Sequence, residues 1–133
     1  MIFCDASALI AIIAGEAEAD RFADILESED RRLYSALSAW ETIAGLSHRY
    51  AFGIGDSRAY VERFFAAGEF RIVPIASVEL TVALEAFDRY GRSRHKAALN
   101  MGDCFAYACA KTNGAKLLFK GNDFSKTDIE AAI

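Results

Sequence analysis

Met1-Ile2-Phe3-Cys4-Asp5-Ala6-Ser7-Ala8-Leu9 opens the chain. Three apolar residues end on an acid, and a run suited to helix follows at once. An apolar run without alternation reads as a strand buried on both faces, the habit of parallel sheets. Ser7 to Ala14 then reads as a helix start. The same alternation of strand and helix recurs downstream. Glu16 to Glu29 forms a second helix, with Phe22, Ile25 and Leu26 inward. Leu33 to Ala36 is a weaker strand, followed by a helix from about Ala39 to Tyr50. Gly53 and Gly55 mark a turn, and Tyr60, Phe64 and Ala67 then recur at i, i+4, i+7, one helical face. Arg71 to Ile75 is a third strand with Pro74 near its end, and Ser77 to Tyr90 is a helix through Leu80, Leu84 and Phe87. Asp103 to Asn113 is the last helix, Gly114 ends it as a C-cap, and Lys116 to Phe119 is the fourth strand. Strands separated by helices of this length predict an α/β fold with a parallel sheet. Without a repeat or a long linker, residues 1–133 read as one domain.

The 133 residues are 53% hydrophobic, which excludes a disordered chain. Formal charge is −4, an unusual sign for a nucleic-acid binder. The charge is unevenly placed, however. Residues 1–88 hold 7 Lys/Arg against 15 Asp/Glu, whereas residues 89–133 hold 8 against 4. The longest apolar run, Ala6 to Gly15, is far short of the ~20 residues that span a bilayer. No basic region precedes it, as a secretory signal would require. Cys4, Cys104 and Cys109 form no CxxC pair and read as free buried thiols, so a cytoplasmic location is expected.

Ligands of open parallel sheets bind beyond the carboxyl ends of the strands. Asp5, Glu41, Asp103 and Asp123 all fall near such ends. Each has a local alternative. Asp5 can cap the helix near Ser7, and Ser38-Ala39-Trp40-Glu41 fits an S-x-x-E capping box. Asp103 can sit at a helix entry, where the dipole favours an acid, and Gly121-Asn122-Asp123 is turn chemistry. Capping does not explain why all four gather at one edge. Carboxylates that converge there repel one another unless a hard divalent cation such as Mg²⁺ neutralises them.

The opening nonapeptide resembles the start of PIN-domain nucleases of the VapC toxin type. Leu99-Asn100-Met101-Gly102-Asp103-Cys104-Phe105-Ala106-Tyr107-Ala108 is similar to the third-acid helix of that family. Leu117-Leu118-Phe119-Lys120-Gly121-Asn122-Asp123-Phe124, continuing to Thr127-Asp128-Ile129, is similar to its last strand and loop. The resemblance runs the whole length. It implies a three-layer α/β/α PIN-like domain around a mostly parallel sheet of four to five strands. It also implies that Asp5, Glu41, Asp103 and Asp123 hold Mg²⁺, or Mn²⁺ in its place, for hydrolysis of RNA. Asn122 stands where relatives often carry an acid, which leaves the fourth ligand open between Asp123 and a role for Asn122 or Asp128. Ser7 matches the family's small hydroxyl as a supporting residue. A cognate antitoxin and a homodimer are further implications of the resemblance.

Arg89 to Lys96 packs four Lys/Arg and a histidine into eight residues. Arg92, Arg94, His95 and Lys96, together with Lys120 beside the last acid, are candidate RNA-phosphate contacts. A solvated loop is the alternative. Trp40, Ile43 and Leu46 recur at helical spacing beside Glu41 and read mostly as core. Three other functions compete with the toxin reading: an RNA-processing nuclease without an antitoxin, a phospho-signalling receiver module and a silent binding module. The receiver is disfavoured because Asp5 has no acidic neighbour and the third strand leads into Ala76-Ser77.

Overall fold

In a computed structural model describing residues 1–133, four strands form one wholly parallel sheet. The chain runs β1 (Ile2–Cys4), α1 (Ala6–Ile13), α2 (Ala19–Glu27), β2 (Arg32–Ser35), α3 (Ala36–Tyr50) and α4 (Ile54–Ala67). It continues through β3 (Arg71–Val73), α5 (Ser77–Tyr90), α6 (Met101–Thr112) and β4 (Lys116–Leu118), with a short 3₁₀ turn at Phe124–Lys126. The expected range of four to five strands resolves to four. Beyond β4 the tail makes only a single bridge, Leu117 to Ala131, in place of a fifth strand.

Side-chain alternation along the short strands divides the interior into two cores. Ile2, Cys4 and Leu118 face a core with Leu9, Phe22, Leu46, Val61 and Phe65, supplied by α1 to α4. Phe3, Leu33 and Leu117 face the other, with residues of α5 and α6. Helices on both faces make the three-layer α/β/α arrangement. This explains why β1, buried on both faces, reads as an unbroken apolar run.

Strand order fixes where a site can form. The chain steps outward from β1 to β2 to β3, then returns to place β4 on the other side of β1. That reversal opens a crevice past the carboxyl ends of β1 and β4. Crossover helices run antiparallel to the strands, so α3 begins at this edge and α6 begins there before descending to β4. Both helices are fixed at their first turns by reciprocal caps. Ser35 and Ser38 exchange bonds at α3, and Asn100 and Asp103 do so at α6. The box expected at Ser38–Glu41 therefore lies three residues earlier. A serine hydroxyl at the third helical position performs the return bond, which leaves Glu41 unoccupied by capping.

The three cysteines are free and buried, and no helix is long and apolar enough to cross a membrane. Leu117 is fully buried in the middle of β4. Leu117→Ala should cost about 2–5 kcal/mol of unfolding free energy in a urea titration, and a loss below ~1 kcal/mol would contradict this packing.

Candidate active site

Asp5 terminates β1, its side chain almost wholly buried. Its Oδ2 accepts from the Ser7 backbone N–H at 3.0 Å and from the Ser7 hydroxyl. The Ser7 Oγ in turn accepts from the Lys120 N–H at 3.0 Å, tying the acid to the segment after β4. The capping reading of Asp5 is thus correct as local structure. It coexists with a place at the sheet edge, because only one carboxylate oxygen is engaged. Asp103 has the same double character: Oδ2 accepts from the Asn100 N–H at 3.0 Å. The Glu41 carboxylate, on α3, makes no hydrogen bond to the protein.

The carboxylates feel one another. Burial raises the Asp5 carboxyl above its ordinary range against the pull of Ser7, and the charge of Asp123 adds to the rise. Glu41 is pushed up to about 7, first by burial and then by the charges of Asp5 and Asp103. Asp103 rises to about 6 through burial, with Asp5 and Asp123 adding to it and Arg92 opposing. The four expected acids therefore share one field. They do not form a closed cage: no three His, Cys, Asp or Glu side chains stand close enough together to grip a cation as they lie.

Asp128 is elsewhere engaged. It accepts from the Tyr107 hydroxyl at 2.6 Å and from Lys111 Nζ at 3.2 Å, with Arg89 3.8 Å away. These partners lower its pKa and make it a clasp between α6 and the C-terminal tail. Asp123 is exposed at the head of the 3₁₀ turn without a side-chain cap bond. Asn122 is exposed too, and its carbonyl accepts from Ser125 Oγ at 2.6 Å.

The basic residues separate into engaged and free. Arg94 pairs with Asp88 at 3.1 Å and lies over the Phe87 ring. His95 Nδ1 accepts from the Ala97 N–H at 3.0 Å, and its ring meets Tyr90 edge-on. Lys120 Nζ is held by Glu16 at 2.8 Å and Glu18 at 3.4 Å, and Glu16 also pairs with Arg49. Arg92 and Lys96 are exposed and unpaired, and Arg92 reaches the field of Asp103. Trp40 departs from the core expectation at 67% exposed, whereas Leu46 of the same stripe is buried.

Sequence reading missed Gly102. A Cβ placed there would stand 2.8 Å from the Glu41 carboxyl carbon and 2.9 Å from Oε1, and closer still to Oε2. The sequence reading began this helix at Asp103, and only the observed start at Met101 puts the glycine inside it, where a glycine usually has a packing reason.

Residues 2–130 match the profile of the PIN domain. The chain belongs to the PIN-domain family. This PIN domain is 38% identical over 125 residues to the Mycobacterium tuberculosis protein named Ribonuclease VapC30, covering 94% of this chain and 93% of that one. It is also 38% identical over 141 residues to the Rhizobium meliloti protein named VapC ribonuclease R02377, covering 97% and 99%. Its fold matches the crystal structure of Mycobacterium tuberculosis VapC20, described as a sarcin–ricin loop cleaving toxin. The TM-score there is 0.76 at 17% identity, with 97% and 96% of the two chains covered. A toxin–antitoxin complex from Klebsiella pneumoniae matches with TM-score 0.71 at 17% identity, covering 96% and 93%.

The raised carboxyls of this PIN domain have a consequence for stability. Glu41 and Asp103 bind protons more tightly folded than unfolded. Stability contributed by their protonated forms is therefore present below about pH 4 and is lost as pH rises through about 6 and 7. In chelator, the melting temperature should fall between pH 5 and pH 8 in the wild type and fall less in Glu41→Gln. A Glu41→Gln variant that melts lower than wild type at pH 8 would contradict the repulsion.

Proposed function

We propose that the chain is a metal-dependent endoribonuclease that hydrolyses RNA phosphodiester bonds and acts as the toxin of a type II toxin–antitoxin pair. The shared field of Asp5, Glu41, Asp103 and Asp123 at the strand-switch crevice carries the reading. The VapC names of relatives at 38% identity support the ribonuclease, and the toxin–antitoxin complex among fold neighbours supports the antitoxin partner. A homodimer and a cytoplasmic location belong to the same proposal.

The donor set fits Mg²⁺ or Mn²⁺. Carboxylate oxygens are the hard ligands these ions take, and soft or imidazole donors are absent from the set. When bound, such an ion lowers the pKa of a coordinated water and shields phosphoryl charge. The protein's share is positional. Ser7 fixes the Asp5 carboxylate and, through the Lys120 N–H, keeps it in step with the loop that bears Asp123. Asn100 fixes one oxygen of Asp103 and leaves the other for a ligand. Glu41, whose carboxylate makes no hydrogen bond to the protein, has both oxygens available to a cation. Arg92 and Lys96 supply cationic contacts for the RNA backbone, and phosphate contacts give affinity that falls with salt.

Purified protein should cut an RNA panel with Mg²⁺ or Mn²⁺ and not with chelator, and Asp103→Asn should bring cleavage to background while keeping the fold. Metal-independent cutting, or full activity in Asp103→Asn, would overturn the mechanism. Replacing both Arg92 and Lys96 by Gln should lower the log–log salt slope of RNA binding by about 1–2. An unchanged slope would return them to a solvated loop.

A further inference from the structure

Gly102 is the second residue of α6, buried, with a φ that is not positive. No turn geometry requires glycine there, and in a helix it is the poorest choice after proline. Gly55, also helical, would meet nothing with a side chain added. At Gly102 the added atom meets the carboxylate of Glu41 on all three of its terminal atoms. The obstacle is the end of the Glu41 side chain, one of the four acids, so a methyl group at position 102 must push that carboxylate aside.

We propose that Gly102 is a positioning residue for the cation site. Its missing side chain forms the notch that seats the Glu41 carboxylate against the start of α6, one residue before Asp103. Glu41 has no hydrogen bond to hold it, so this steric seat sets its distance from Asp103. The two acids arrive from different helices, and the notch is where those helices register. The inference rests on the proposed metal-dependent function for its purpose, and on geometry alone for the seat.

The test is a cycle of Gly102→Ala, Glu41→Ala and the double variant. It is read by Mn²⁺ calorimetry, thermal melting and a crystal structure of Gly102→Ala. Alanine is the better helix former, so Gly102→Ala should melt within a few degrees of wild type. Its Mn²⁺ affinity should fall by roughly 10-fold or more, the usual scale for disturbing a ligand's support. The Glu41 carboxyl should move by about 1 Å or more, the scale at which a loosely supported site fails. In the Glu41→Ala background, adding Gly102→Ala should change Mn²⁺ affinity by less than about twofold, because the partner of the clash is gone. A Glu41 carboxylate unmoved in Gly102→Ala, or an equal loss of affinity in the Glu41→Ala background, overturns the proposal. Failure of the nuclease reading looks different: wild-type protein that binds Mn²⁺ but cuts no RNA, with the cycle intact.

Discussion

Like charge gathered past the end of β1 is the constraint around which the rest of the structure is arranged. Asp5 lies at the carboxyl end of an inner strand with its side chain buried, where solvent cannot screen it. Glu41, Asp103 and Asp123 add to the same field. Burying one carboxylate near others is unfavourable, and a fold tolerates it where a ligand restores the balance. The supporting contacts hold single oxygens rather than neutralise charge: a hydroxyl and N–H at Asp5, one N–H at Asp103, a steric notch at Glu41.

The parallel sheet explains why such a cluster can be assembled from distant sequence. Reversal of strand order between β1 and β4 opens one crevice, and the helices entering and leaving that edge bring α3 and α6 to it. Capping and site-building are then one event. Asn100 and Asp103 start α6 by bonding to one another, and the same bonds orient the acid. The two interpretations of an acid at a helix start, local cap or chemical group, are not rivals here.

Much of this was legible in the sequence. The fifth helix spans Ser77–Tyr90 in both readings, and all four strands were expected within a few residues. Periodicity and Gly or Pro punctuation are local signals, so they suffice for elements. The α3 cap shifted because serine replaced glutamate as the return partner, a chemical equivalence that the S-x-x-E pattern does not contain. Non-local pairings were hidden. Asp128 is taken by Tyr107 and Lys111, 21 and 17 residues away in sequence. Lys120 is taken by Glu16 across 104 residues. Gly102 stood just ahead of the expected helix and drew no notice, and its partner Glu41 lies on another helix, so only packing reveals the notch.

Proton release on cation binding reads the state of these carboxyls directly. Carboxyls held up to about 6 and 7, first by burial and then by their neighbours' charges, must surrender protons when a cation binds. Calorimetric titration of Mn²⁺ in buffers of differing ionisation enthalpy measures the protons released. Release at pH 6 that vanishes by about pH 8.5, and that falls in Glu41→Gln, is the expected result. Mn²⁺ binding without release at pH 6, or no binding at all, would contradict a site built from mutually repelling carboxylates.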